Sequence, residues 1–260
     1  MSSLPNRRDL ILGLAAAAPL AAPLAAVLAD PRLARAAAAA LDVVTLTTAG
    51  GRTVGGALAM PAATPAPAVL LVHEWWGLDD QIKAVAAEFA HQGYVALAVD
   101  LFEGRVTASP QEAQQLVKAV QPDAAGDTLV SWVQWLERHP KGTGNIGTVG
   151  WCFGGGWSLE ASIDTPVDAT VVYYGQVDQP ADRLARLKGP VLGHFATRDK
   201  WINRPMVDGF ERAMAQAGKR LTVYWYDADH AFANPSDGRY DREDAKLAWE
   251  RTLAFFRSSL

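Results

Sequence analysis

Residues 145–163 read NIGTVGWCFGGGWSLEASI. The run 145–151 is apolar and of strand length, and residues 157–163 return to helical spacing. Cys152 stands between them, with Gly150 two positions before it and Gly154 two after. A side chain presented on a sharp strand-to-helix turn needs strained dihedrals and no bulk beside it, which glycine at those positions provides. The pattern is a nucleophile elbow with cysteine in place of serine. No G-x-S-x-G occurs in the chain, so no serine competes for the position. The following helix points free N–H groups and a positive dipole end at the sulfur, which favours thiolate. The Phe153 amide, one residue on, is placed to donate to an oxyanion. The other reading of Cys152 is a structural cysteine in a glycine-rich turn.

Similar apolar runs recur on both sides: AVLLVH (68–73), YVALAV (94–99), ATVVYY (169–174), PVLGHF (190–195) and LTVYWY (221–226). Continuous apolar runs suit strands buried on both faces of a parallel sheet. Residues 42–48 and 53–59 read as an opening hairpin around Gly50-Gly51. Helical spacing appears at 80–92, where Ile82, Val85, Ala86, Phe89 and Ala90 share a stripe, and again at 110–120, 127–138, 204–217 and 241–258. Alternating strands and helices predict a doubly wound, mostly parallel α/β sheet with helices on both faces, the α/β-hydrolase arrangement once the elbow is included. No internal repeat or low-complexity stretch appears after residue 40, and residues 37–260 read as one domain.

In such a sheet the site lies at the carboxyl ends of the strands. An elbow needs a base and an orienting acid, which follow the nucleophile in the order acid, then His. Of five histidines only His194 and His230 come after Cys152. His194 falls inside the strand 190–195, where a buried hydrogen-bonded role fits better. His230 follows the last strand, in DADHAF (227–232). Asp199, in ATRDK (196–200), occupies the loop after the preceding strand; Arg198 and Lys200 read as solvated charges. Asp227 and Asp229 read as turn formers and are second choices for the acid.

The end of the strand 68–73 carries His73-Glu74-Trp75-Trp76-Gly77. A carboxylate there faces the elbow, and the Trp75 amide is a second candidate oxyanion donor. H-E followed by W-W is not H-E-x-x-H, so zinc is not implied, and no metal or cofactor is expected. With GWCFGG (150–155), Asp199 and His230-Ala231-Phe232, these residues resemble the dienelactone hydrolase (carboxymethylenebutenolidase) family over most of 42–258. The resemblance implies that Cys152, Asp199 and His230 form a triad and that Glu74 exchanges hydrogen bonds with the thiol, helping to generate thiolate when substrate arrives. It also implies that Arg105, in DLFEGR (100–105), senses a substrate carboxylate. Where the family's naming enzyme has a second arginine, four residues past the His, this chain has Asn234. Trp75, Trp76, Trp151 and Trp201 point to a flat or apolar substrate, or to core packing. The expected activity is cysteine-dependent hydrolysis of lactones or small activated esters through an acyl-enzyme. The rivals are other esters or peptides on the same scaffold, and a non-catalytic binding protein that kept the pocket.

The amino terminus reads differently. Arg7-Arg8 precede an apolar run from Leu10 to Leu28 rich in Ala and broken by Gly13, Pro19 and Pro23. Basic residues, then an apolar stretch, then small residues is the layout of an export signal, here of the twin-arginine type. Residues 1–36 are read as that signal, with Ala34-Arg35-Ala36 or Val27-Leu28-Ala29 as the cleavage motif. The run is too weakly apolar for a stable membrane anchor. Without residues 1–36 the chain loses four Arg and two Asp from its 24 basic and 28 acidic residues, leaving a net charge of −6. That balance argues against nucleic acid or an anionic membrane as partner and leaves a small-molecule lactone or ester. One cysteine in an exported protein makes no intrachain disulfide. Periplasmic or secreted localisation, reached through the twin-arginine machinery, is the expectation. Substituting Arg7→Lys together with Arg8→Lys is expected to strand the precursor in the cytoplasm. A normal periplasmic yield of that double variant, measured by fractionation, would show that the signal is of another kind.

Overall fold

The computed structural model describes residues 30–260. The Arg7-Arg8 pair, the apolar run 10–28 and the Val27-Leu28-Ala29 motif lie outside the described residues. In chain order the elements are α1 (Pro31–Ala39), β1 (Asp42–Thr47), β2 (Thr53–Ala59), β3 (Ala66–Val72), α2 (Asp80–His91), β4 (Val95–Val99), α3 (Pro110–Ala119), α4 (Pro122–Glu137), β5 (Gly142–Trp151), α5 (Phe153–Asp164), β6 (Ala169–Tyr173), α6 (Ala181–Leu184), β7 (Val191–Ala196), α7 (Arg204–Gln216), β8 (Leu221–Tyr226) and α8 (Arg242–Ser259).

The strands form one sheet in the order β1-β2-β4-β3-β5-β6-β7-β8. β1, β2 and β4 pair antiparallel, and every pairing from β4 through β3 to β8 is parallel. β5, which leads into the elbow, therefore runs beside β3 on one flank and β6 on the other. The unbroken apolar runs have a direct cause. In β3, Val69 and Leu71 enter a core layer with Phe89 of α2 and Phe256 of α8, while Leu70 and Val72 enter the opposite layer with Leu129 and Trp132 of α4. A third cluster joins Leu159 of α5 to Val172, Phe195 and Phe210. Both faces of the sheet are covered, so alternation is absent.

Three of the departures from the expected boundaries have a readable cause. α4 begins at Pro122, five residues before the predicted start, because Pro122-Asp123-Ala124-Ala125-Gly126 carries no apolar stripe although proline is well suited to a first helical turn. α5 begins at Phe153 and so includes Gly154–Gly156, which propensity alone would leave out of a helix. α1 crosses the expected boundary at residue 36 between the export signal and the domain. Asp30 caps it, accepting from Arg32 N at 2.8 Å, and Ala34 and Ala38 are buried. The Ala34-Arg35-Ala36 motif lies inside this helix. No helix among the described residues is long and apolar enough to cross a membrane.

The elbow is where packing is least forgiving. A Cβ built on Gly154 would sit 2.2 Å from the Val72 carbonyl oxygen and 2.4 Å from that of His73. Gly55, in contrast, has nothing within 4 Å of such an atom. Gly154→Ala is therefore expected to lose about 3 kcal/mol or more, lowering the melting temperature by roughly 10 °C. Gly55→Ala should stay within about 0.5 kcal/mol of the parent. Equal melting curves for the two variants would show that the elbow backbone yields freely.

Candidate active site

Five parallel strands end at one edge of the sheet, and the residues just past their carboxyl ends gather there. β3 delivers Glu74, β5 Cys152, β6 Tyr174, β7 Asp199 and β8 His230. Cys152 takes φ 54° and ψ −118° as the residue capping α5. Its amide donates to the Tyr173 carbonyl at 3.0 Å, and its own carbonyl accepts from Gly155 N at 3.0 Å. Tyr174 (φ 36°) and Ala231 (φ 67°) also hold positive φ without being glycine. All three line one cleft of about 370 Å³. Such conformations persist only where the surroundings over-determine them, and they concentrate at functional sites.

His230 Nδ1 lies 2.6 Å from Asp199 Oδ2. The carboxylate can only accept, so Nδ1 carries the proton and Nε2 is the free ring nitrogen. The other oxygen of Asp199 accepts from the amides of Trp201 (2.8 Å) and Ile202 (3.0 Å). Burial works to raise the Asp199 carboxyl, but the hydrogen bond and charge of His230 and the two amides outweigh it and hold it below the usual range. Asp227, exposed, and Asp229, half-buried, are the second-choice acids and pair with Arg198 instead.

Glu74 is 3% exposed. Tyr174 Oη donates to one carboxylate oxygen at 3.1 Å and Asn234 Nδ2 to the other at 2.6 Å. The Asn234 amide cannot turn over, because its oxygen accepts from Ser236 N (2.9 Å) and Ser236 Oγ (2.6 Å). Among the described residues no cation pairs with Glu74, and burial raises its carboxyl to about 7 against these two donors. Cys152, partly exposed at the cleft floor, has its thiol pushed well up by desolvation first and the Glu74 charge second. The Phe153 amide acts the other way on the sulfur.

Glu74, Trp75, Cys152, Phe153, Trp201 and His230 all line the cleft. Trp201 is 63% exposed at the rim, its ring edge-on to His230 at 5.2 Å. Other expected substrate contacts lie elsewhere. Trp151 is buried in the core, stacked on Tyr173 at 5.4 Å, in the layer that also holds Phe89 and Phe256. Arg105 lines a separate depression beside Arg52 and Asp100, and its Nε donates to the Phe102 carbonyl at 3.2 Å. Trp76 packs on Trp75 at 4.7 Å and is not part of the cleft wall. The lining cation is Arg239, held by Asp237 through Nε (2.8 Å) and Nη2 (2.7 Å). Sequence reasoning missed Tyr174 and Arg239 as site groups, and it singled out Asn234 only as the position where the family's naming enzyme has an arginine. Tyr174 was within reach, since it ends a predicted strand; Arg239 sits in a loop with no motif. His194 is buried between Tyr226 and Thr252, its imidazole held neutral by burial, down to about 3.

Residues 54–260 match the model of the dienelactone hydrolase family. The carboxymethylenebutenolidase of Pseudomonas putida is 29% identical over 220 residues, 79% of this chain and 91% of that protein. Protein usf of Aquifex pyrophilus is 30% identical over 215 residues, 76% of this chain and 92% of its own length. Among solved structures, a Klebsiella pneumoniae chain described as a dienelactone hydrolase superimposes with a TM-score of 0.75 at 26% identity, covering 84% of this chain and 99% of that one. A dienelactone hydrolase-like promiscuous phosphotriesterase from metagenomic libraries shares the fold, with a TM-score of 0.77 at 20% identity, covering 84% of this chain and 98% of that one.

The raised Glu74 carboxyl ties stability to pH. Between its ordinary value and about 7 the folded chain holds a proton that the unfolded chain has released. Stability from this group therefore falls as pH rises through that window and stays low above it. Glu74→Gln removes the penalty. Relative to the parent, the variant should gain up to about 3 kcal/mol between pH 5 and pH 8, at roughly 1.4 kcal/mol per pH unit. Urea melts at the two pH values test this; a difference that does not change with pH would mean Glu74 is not buried as a raised carboxyl.

Proposed function

This chain belongs to the dienelactone hydrolase family, and from that membership we propose a cysteine-dependent hydrolase of lactones or small activated esters working through an acyl-enzyme. The observation that carries the reading is one cleft shared by a strained Cys152, a His230 bonded to Asp199 and a buried Glu74. Substrate entering the cleft disturbs the Tyr174 and Asn234 bonds to Glu74, and the freed carboxylate takes the Cys152 proton. The thiolate attacks the carbonyl carbon. The Phe153 and Trp75 amides hold the resulting oxyanion. Collapse breaks the carbon–oxygen ester bond. An enolate or phenolate leaves with little need of protonation, which favours activated substrates over amides. His230 Nε2 then takes a proton from water, the hydroxide attacks the thioester, the thiolate departs and takes back the proton that Glu74 held, and His230 passes its proton to the released enolate or to solvent.

Arg239 and Trp201 replace Arg105 and Trp151 in this reading as the substrate-facing cation and aromatic, with Trp75 also lining the cleft. A binding protein without turnover would have no use for three strained residues around one thiol, which favours the enzyme. For residues 1–36, the paired arginines and the apolar run support export to the periplasm or beyond. Cleavage at Val27-Leu28-Ala29 fits better than at Ala34-Arg35-Ala36, since the second cut would sever α1.

Cys152→Ser is expected to fold normally and to lose on the order of a thousandfold in kcat on a p-nitrophenyl ester, because a hydroxyl is far less acidic than a thiol. Alkylation of the parent by iodoacetamide should remove activity in step with the single modified thiol. Turnover that survives complete alkylation would end the nucleophile assignment.

A further inference from the structure

We propose that His73 is the positioning residue for the Glu74–Trp75 arm, acting through one proton on Nδ1. The inference rests on the reading of that arm as thiol partner and oxyanion donor. His73 is fully buried where β3 ends. Its Nδ1 lies 2.6 Å from the Glu74 carbonyl oxygen, and the Leu101 amide donates to its Nε2 at 3.1 Å. A carbonyl oxygen only accepts and a backbone amide only donates. The two partners therefore select the neutral ring with its proton on Nδ1. Burial, which disfavours the charged ring, acts in the same direction.

The ring is bonded to the peptide that carries the Trp75 amide and packs beside the Phe153 side chain. It stacks on Phe153 at 5.9 Å and meets Phe102 edge-on at 4.7 Å. The Glu74 carbonyl it holds also accepts from Gly77 N at 3.3 Å, so the arm is a closed turn fixed from behind by the imidazole. Glu74 is thus tethered twice: its backbone by His73, its carboxylate by Tyr174 and Asn234. Substrate can release the second tether without moving the first. That separation lets the carboxylate swing while the Trp75 amide stays in place.

Two substitutions divide the ring's bonds. Asn carries its amide nitrogen at the position of Nδ1, and Gln carries its terminal atoms near Nε2. His73→Asn can keep the bond to Glu74 and lose that to Leu101; His73→Gln does the reverse. Both should cost similar stability. On a p-nitrophenyl ester, His73→Asn is expected to keep kcat within about fivefold of the parent, and His73→Gln to lose about a hundredfold, the scale of one oxyanion donor. KM should move less than about threefold in both. Equal losses, the opposite order, or a loss confined to KM would overturn the assignment. Should either variant fail to fold, nitrogen-15 shifts of the parent decide. A neutral Nδ1–H ring is expected, and an Nε2–H ring or an imidazolium overturns the proposal. That spectrum does not depend on turnover, so a failure of the hydrolase reading, seen in Cys152→Ser, is distinguishable from a failure here.

Discussion

Backbone lies directly on backbone beneath Cys152, and the rest of the site depends on that contact. A Cβ on Gly150 would meet the Gly154 carbonyl oxygen at 2.0 Å, one on Gly154 the Val72 oxygen at 2.2 Å, and one on Gly175 the Gly155 carbon at 2.5 Å. No side chain fits in any of these gaps. Their absence lets the ends of β3, β5 and β6 close to van der Waals distance. Glu74, Cys152 and Tyr174, which are far apart in the chain, become neighbours for this reason. The strain at Cys152 and Tyr174 is the other side of the same contact, held by the cooperative packing of two core layers against the sheet.

Closeness of that kind dries the site, and dryness sets its electrostatics. Burial raises both acids of the Cys152–Glu74 pair, and the Glu74 charge raises the thiol further. The resting state that minimises both penalties has the thiol protonated and the carboxyl shared between neutral donors. A protonated sulfur is a poor target for oxidants, a useful property for a lone cysteine. The Asp199–His230 pair behaves differently. Asp199 has four favourable contributions, including two backbone amides, and stays ionised beside an imidazole whose tautomer it fixes. One cleft thus holds two carboxylates tuned in opposite directions, the usual mark of groups with different proton-transfer duties.

The sequence by itself determined the doubly wound sheet, because strands buried on both faces have to be written as unbroken apolar runs. It also determined the elbow, because only glycine satisfies the close approaches around Cys152. The pairing of Asp199 with His230 followed from chain order and from the rule that sites lie past the carboxyl ends of strands. Tertiary structure decided the remainder. Which face of β5 Trp151 enters, and so its place in the core, depends on strand register. Arg105 and Arg239 look alike as residues, and only the path of the loop after His230 brings Arg239 to the thiol's cleft. The partners of Glu74 are 100 and 160 residues away along the chain. No local pattern encodes contacts at that separation. They arise from the packing of strand ends and loops, and with them comes the proton affinity that distinguishes Glu74 from an ordinary surface glutamate.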